Sequence, residues 1–159
     1  DRKLTGLLLG LSISHNMVIP NLKSYLKGIA VSNAKINRTC KEGADKFQVK
    51  MASLNQEVCH LSGGNQQKVV LARWMMLDPD IIILDEPTRG IDIGAKTQIY
   101  HLMRELAKQG KAIIMISSEL PEVIGMCDRV VVMRSGEVSA VLDRSEADQV
   151  TIMKNAVNM

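Results

Sequence analysis

The sequence is poor in aromatic residues: only four of its 159 side chains are Phe, Tyr or Trp. It therefore offers few platforms on which nucleic-acid bases could stack. Its charge, however, is uneven. The first fifty residues carry nine Lys or Arg against three acids, a net +6, and the remainder carries about −3. This asymmetry fits nucleic acid or lipid as a partner, and it also fits a solvated helical face, which we favour because the charges are scattered.

The sequence also has few cysteines and no long apolar run. Cys40, Cys59 and Cys127 show no paired metal-ligand spacing, and an odd number of thiols without a signal peptide indicates the reducing cytosol. The adjacent Cys59 and His60 resemble half of a zinc site, but no second pair of ligands follows, so we expect both to pack locally. Without ~20 consecutive apolar residues, the chain would meet a membrane only through a partner.

The N-terminal part of the sequence lacks strand patterns. Residues 1–60 contain a break at Pro20-Asn21 and a polar stretch from Ser32 to Gly43, which predicts short helices joined by loops. The chain begins at Asp1 without an initiator Met. We therefore expect it to be a piece of a longer protein whose N-terminal portion is missing here.

The pattern changes at Asp80, where strands begin to alternate with helices. Residues 81–84 are entirely apolar and β-branched or Leu, as expected of a strand buried on both faces of a parallel sheet. Residues 95–109 carry apolar side chains at helical spacing, and Gly110 follows as a C-cap. The remaining predicted elements are a buried strand at 112–116, a helix at 120–126, strands at 130–133 and 138–142, and a turn at 135–136. This order predicts an α/β fold.

A first candidate site is the run Leu61-Ser62-Gly63-Gly64-Asn65-Gln66-Gln67-Lys68, which opens a predicted helix. Two glycines let the backbone approach a ligand, the Ser hydroxyl can donate, and a helix start offers unpaired amides. Together these features are typical of a phosphate site. By themselves they equally fit an ordinary Ser-Gly-Gly connector.

A second candidate site is the acidic pair Asp85-Glu86, at the C-terminal end of the strand at 81–84 and followed by Pro87 and Thr88. Ligands of open α/β sheets bind at this edge. Asp85 could hold Mg²⁺, and Glu86 could orient and deprotonate an attacking water. The alternative is a strand that ends in solvated acids, with the proline as breaker.

The two motifs occur together, about 20 residues apart, and are followed by Gly90-Ile91-Asp92. From residue 61 to 136 this order resembles the ABC transporter ATPase family. Residues 85–96 and 116–129 further resemble the second domain of the tandem ATPases that energise bacterial monosaccharide import. The resemblance implies a P-loop NTPase-like α/β fold with a mostly parallel sheet, divided into a helical subdomain over residues 1–77 and a core over 78–159.

The resemblance also implies roles for individual residues. Residues 61–64 are then the signature motif of the family. Its Ser62, Gly63 and Gly64, with Gln66 nearby, would contact the γ-phosphate of ATP held by a facing nucleotide-binding domain. In the second motif, Asp85 is then the Walker B carboxylate for Mg²⁺, Glu86 the catalytic base and Asp92 the acid that communicates across the dimer.

The sequence departs from the family pattern in two places. No G-x-x-x-x-G-K-[ST] loop occurs, so the chain alone is expected not to hydrolyse ATP. Ser118 occupies the position at which most of the family carries a γ-phosphate-contacting histidine. The resembled subfamily shares this serine, which nevertheless puts hydrolysis at this domain's own site in question.

The function implied is the C-terminal part of an ATP-hydrolysing subunit that powers monosaccharide import. Its partners would be a second nucleotide-binding domain, membrane permease subunits and, indirectly, a periplasmic sugar-binding protein, with no nucleic acid. It would lie peripherally on the cytoplasmic face of the inner membrane. Two alternatives stay open: a non-catalytic half that supplies the signature in trans, and a soluble ABC-type ATPase that acts on nucleic acid.

Overall fold

Residues 6–27 and 30–157 are described by a computed structural model, in which they form six α-helices and six β-strands. The helices are α1 (Ile13–Val18), α2 (Asn33–Lys46), α3 (Gly63–Met75), α4 (Ile93–Lys108), α5 (Leu120–Met126) and α6 (Gln149–Ala156). The strands are β1 (Leu26–Lys27), β2 (Ala30–Val31), β3 (Ile81–Asp85), β4 (Ala112–Ile116), β5 (Arg129–Arg134) and β6 (Glu137–Asp143). Two 3₁₀ turns cover Ile19–Tyr25 and Val58–His60.

The chain divides into two compact units. The first comprises the described residues up to Ile82 together with Thr88–Ile113, and the second comprises Ile83–Pro87 together with the described residues from Ile114 onward. The subdomain boundary near residue 77, expected from the sequence, stays a prediction.

The first unit is built around α1, α2 and α3, which pack against one another. Helix α1 is capped by Ser12, whose Oγ accepts from the His15 amide at 3.2 Å. Asn16 is fully buried in this helix, and its side-chain amide bonds both the N–H and the C=O of Leu8 at 2.9 Å. Satisfying a buried amide in this way fixes the loop that precedes the helix.

The polar stretch at residues 32–43 lies mainly in helix α2. Ser32 caps this helix by accepting from the Lys35 amide at 3.4 Å. The buried side of the helix carries the apolar Ile36, Cys40 and Ala44 at spacings of four residues. This narrow apolar stripe is enough to anchor a helix whose other faces are polar, and α2 is one of the helices expected within residues 1–60.

Strands β3 and β4 run parallel, as predicted. The Ala112 amide donates to the Asp80 carbonyl at 2.9 Å near one end, and the Glu86 amide donates to the Ile116 carbonyl at 2.8 Å near the other. Both strands lie where the sequence placed them. Since a parallel pair points its two carboxyl ends at one edge, the acidic pair after β3 and the loop after β4 meet there.

The expectations that β3 is buried on both faces and that β4 is a buried strand were wrong. Ile82 and Leu84 are buried, but Ile83 is 66% exposed and Ile114 and Ile116 are each 52% exposed. The described part of the chain provides no element that covers these side chains. A continuous apolar strand is typical of a sheet covered on both faces, whereas the described residues cover only one face of this sheet.

The second unit carries an antiparallel hairpin of β5 and β6, closed by Ser135 and Gly136 at positive φ of 51° and 86°. Its core contains Val130 and Val132 from β5. Ala147 and Ile152, which lies in α6, complete the buried cluster. The predicted turn and both strands are thus confirmed, with strand ends that differ by one residue.

Helix α4 confirms the helix predicted at residues 95–109, with Ile99, Met103 and Leu106 buried on one face. Gly110 follows with φ of 87°, which is the left-handed conformation expected after a helix C-terminus. Among the described residues, no helix is both long enough and apolar enough to cross a lipid bilayer.

Candidate functional site

The signature run begins at the N-terminus of α3, where Ser62 precedes the first helical residue. Its backbone is extended, with φ of −61° and ψ of 156°, and its carbonyl accepts from the Gln66 amide at 2.9 Å. The Ser62 hydroxyl makes no capping bond to the helix and instead accepts from Nδ2 of Asn65 at 3.0 Å. Ser62 is exposed and Gly63 half-buried. Because the first amides of a helix lack internal acceptors, this end presents donors beside an accessible hydroxyl.

Asn65 was not singled out from the sequence, yet it organises this loop. Its Oδ1 accepts from the Lys50 amide at 2.8 Å while its Nδ2 donates to the Ser62 hydroxyl. The side chain therefore ties the signature to the preceding segment. Its place between the two glycines and Gln66 was the available signal.

Gly64 lies against Ala95, near the start of α4. A Cβ built on Gly64 would lie 2.5 Å from Cβ of Ala95, so no larger residue fits without a shift of one helix. The Ala95 amide in turn donates to Oδ1 of Asp92 at 2.9 Å, which caps α4. Gly64 therefore has a packing role in this structure, beyond the ligand approach inferred from its sequence.

Gln66 faces inward and is only 5% exposed. Its Nε2 donates to the Val58 carbonyl at 3.2 Å, while its Oε1 is buried without a hydrogen-bond partner among the described residues. The side chain thus secures the 3₁₀ turn that leads into the signature. Its contact with ATP stays a prediction.

The local packing expected of Cys59 and His60 was wrong, since both side chains are exposed. Val58 is the residue of this turn that is fully buried. Because a 3₁₀ turn has three residues per turn, burying Val58 directs its two followers outward.

The acidic pair lies at the C-terminal end of β3. Asp85 is exposed, on the same side of the strand as Ile81 and Ile83, whereas Glu86 is half-buried. Glu86 has a φ of 47°, which is unfavourable for an L-residue with a side chain. Buried Pro87 and Thr88 follow it. Such a conformation costs of order 1–3 kcal/mol and persists only where its surroundings enforce it.

Ser118 meets Glu86 through its backbone. The Ser118 amide donates to Oε1 of Glu86 at 2.9 Å, and the Glu86 amide donates to the Ile116 carbonyl. Both the backbone and the carboxylate of Glu86 are therefore held by the end of β4. The sequence identified Ser118 only as the residue at the usual histidine position, whereas the contact observed is made by its backbone amide. Its contact with the nucleotide stays a prediction.

Two further residues, missed in the sequence, hold the loop after β4. Ser117 Oγ donates to Oε2 of Glu122, which is 4% exposed, and accepts from the Glu119 amide at 3.1 Å. This pair braces the turn that presents the Ser118 amide. A hydroxyl and an acid at i and i+5 offer no recognised motif, so only the fold reveals them.

The donor set at the strand end fits Mg²⁺. This ion is usually bound through one or two carboxylates, with water and substrate phosphate oxygens completing the octahedron. Asp85 supplies one exposed carboxylate of that kind. Bound Mg²⁺ would neutralise phosphate charge during transfer.

Comparison with known proteins places these motifs in a family. The model of the ABC transporter family matches residues 7–89. The chain is 50% identical over 156 residues to a ribose/galactose/methyl galactoside import ATP-binding protein of Halalkalibacterium halodurans, covering 98% of this chain and 30% of the relative. It is 49% identical over 160 residues to the ribose import ATP-binding protein RbsA of Clostridium perfringens, covering 100% and 32%. The chain thus spans about a third of these relatives.

Solved structures show the same fold. The ATP-binding cassette MJ0796, in a dimeric post-hydrolysis state bound to ADP and Pi, superposes with a TM-score of 0.73 at 25% identity, covering 87% of this chain and 59% of that one. The cassette MJ1267 gives a TM-score of 0.75 at 22% identity, covering 91% and 60%. The expected α/β cassette fold is thereby confirmed.

Proposed function

Because this chain belongs to the ABC transporter family, we propose that it is part of an ATP-hydrolysing subunit that powers bacterial import of a monosaccharide. The names of its relatives, which are import ATP-binding proteins for ribose or galactose-type sugars, support the substrate class. The observation that carries hydrolysis is Glu86, held at a φ of 47° with its carboxylate fixed by the Ser118 amide. Strain of this kind is found where a side chain must be aimed.

At the end of β3 the two acids have different tasks. Glu86 orients the attacking water and accepts its proton, because its half-buried, tethered carboxylate is positioned before substrate arrives. Asp85 holds Mg²⁺ on the exposed side of the strand. The Ser118 amide keeps the base in place.

The signature completes a second ATP site, on a facing domain. Ser62, Gly63 and Gly64 contact the γ-phosphate of ATP held by that domain, and the amides at the start of α3 add a positive dipole end. Supporting this role, the Ser62 hydroxyl makes no capping bond to its own helix. Gln66 supports this loop through its hydrogen bond to the Val58 carbonyl. Asp92, exposed at the start of α4, communicates across the domain interface.

The partners are a second nucleotide-binding domain, membrane permease subunits and, through them, a periplasmic sugar-binding protein. The subunit lies peripherally on the cytoplasmic face of the inner membrane. Two observations support a larger assembly: the chain spans about a third of its relatives, and Ile83, Ile114 and Ile116 leave an apolar sheet face uncovered. Without a G-x-x-x-x-G-K-[ST] loop, the 159 residues alone are inactive.

A second function is that of a non-catalytic half that supplies the signature in trans. It is favoured by Ser118, which offers Glu86 a backbone amide and has no imidazole to contact a γ-phosphate. In this case Glu86 is retained for structure, and the facing domain hydrolyses all the ATP.

The two functions separate in the intact subunit assembled with its permease. If Glu86 is the base, Glu86→Gln lowers the ATPase rate about 100-fold or more. The matched control Glu137→Gln, an exposed glutamate on β6, leaves the rate within about twofold. Full activity in Glu86→Gln combined with loss in Ser62→Ala supports the trans-acting half. Full activity in both variants contradicts both functions.

A further inference from the structure

Three potential metal ligands converge on the turn immediately before the signature. The ligand atoms of Glu57, Cys59 and His60 all lie within 4.8 Å of one another, and all three side chains are exposed. We propose that they form a binding site for Zn²⁺ or a similar borderline-soft divalent cation. This site is separate from the proposed ATP chemistry and does not depend on it.

The distances suit coordination with little rearrangement. The Cys59 Sγ lies 3.4 Å from Oε2 of Glu57. In a tetrahedral Zn²⁺ site with Zn–S of about 2.3 Å and Zn–O of about 2.1 Å, those two atoms would be about 3.6 Å apart. Thus one edge of the tetrahedron is nearly formed. The ligand nitrogen of His60 lies within 4.8 Å of both of these atoms.

The backbone beneath the cluster is already fixed. The Val58 amide donates to the Leu11 carbonyl at 3.1 Å and the Cys59 amide to the Leu9 carbonyl at 3.2 Å. The Val58 side chain between them is fully buried. The three ligands therefore project from a turn anchored on both sides, and binding a cation needs no ordering of a loose loop.

The donor set selects the cation class. Thiolate and imidazole favour Zn²⁺ over Mg²⁺ or Ca²⁺, which prefer oxygen ligands. On binding, the Cys59 thiol releases its proton to solvent and the thiolate donates an electron pair to the cation. Three protein ligands leave a fourth position for water, as in zinc sites that remain open.

Occupancy would brace the entry to the signature. The Val58 carbonyl accepts from the Leu61 amide at 3.1 Å and from Nε2 of Gln66 at 3.2 Å. A cation that clamps Glu57 to His60 thus closes the same turn that carries these bonds. The Leu61 amide should then exchange its hydrogen more slowly when metal is bound.

Titration of the intact subunit with Co²⁺ tests the site, because a thiolate ligand gives Co²⁺ a charge-transfer absorption in the near ultraviolet. We expect that band, its displacement by Zn²⁺, and its loss in Cys59→Ser. Glu57→Gln should weaken binding by about tenfold or more. The control Cys127→Ser, at a half-buried thiol in the second unit, should retain the band.

A band that survives in Cys59→Ser, or that disappears in Cys127→Ser, overturns the assignment. So does the absence of Co²⁺ absorption in a wild-type protein whose thiols are reduced. Cys59→Ser must keep the wild-type ATPase rate without added metal, which separates loss of the site from misfolding. Hydrogen exchange at Leu61 that does not change with Zn²⁺ contradicts the bracing of the turn.

Discussion

The amide of Ser118 donates a 2.9 Å hydrogen bond to Oε1 of Glu86. Glu86 itself is held at a φ of 47°, and its own amide bonds the Ile116 carbonyl at 2.8 Å. The end of β4 therefore fixes the orientation of the Glu86 carboxylate, and the Glu86 backbone adopts a strained conformation. In a hydrolytic site this geometry keeps the base in position before the water arrives.

The backbone of Glu86 can be tested by comparing two truncations. Both Glu86→Gly and Glu86→Ala remove the carboxylate, but only glycine adopts φ of 47° without steric cost. We expect the glycine variant to be more stable by about 1 kcal/mol in chemical denaturation. The same pair at Glu137, in β6, should show the ordinary order, with alanine more stable. If glycine and alanine variants had the same order of stability at residues 86 and 137, the backbone strain at Glu86 would be contradicted.

The close approach of α3 and α4 predicts the effect of enlarging Gly64. Because the added Cβ would meet Cβ of Ala95 at 2.5 Å, Gly64→Ala should destabilise the protein by about 1–3 kcal/mol. Gly10→Ala is the matched control, since nothing lies within 4 Å of the added atom. Denaturation midpoints of the two variants check this. If the Gly64→Ala protein were as stable as the Gly10→Ala protein, α3 and α4 could move apart at this contact without a measurable cost in stability.

The two serines after β4 should respond differently to truncation. Ser117→Ala removes a hydroxyl donor from the buried Glu122 carboxylate, so it should lower the free energy of unfolding by about 1–3 kcal/mol. Ser118→Ala keeps the amide that contacts Glu86 and should change it by less than about 0.5 kcal/mol. Thermal or urea unfolding compares them. The reverse ranking would place the structural contact on the Ser118 hydroxyl.

The buried thiol of Cys40 should make the protein less stable at alkaline pH. Its buried Sγ lies 3.8 Å from the Ser14 carbonyl, and desolvation raises the pKa of the thiol from 9.0 to about 11. The folded state therefore keeps a proton that the unfolded state loses above pH 9.0. Stability from this group is complete below that pH and declines until about pH 11. Cys40→Ala should show a smaller decline over this window in urea titrations, and an unchanged decline would refute the assignment.

Much of the fold could be predicted locally. Helices α4 and α5, strand β4 and the Ser135-Gly136 turn lie where spacing and turn chemistry placed them, because these signals act over a few residues. The bounds of helix α2 were not predicted, since its buried stripe contains only the three apolar residues Ile36, Cys40 and Ala44 within a polar segment.

The site shows the same division. The sequence by itself determined the signature and the Asp85-Glu86 pair, because their residue types and spacing are confined to short stretches of chain. Only the tertiary structure decided that Ser118 holds Glu86 by its amide, that Gly64 meets Ala95, and that one face of β3 and β4 is uncovered. The physical reason is that such contacts depend on what packs against a residue from far along the chain, which no local pattern encodes.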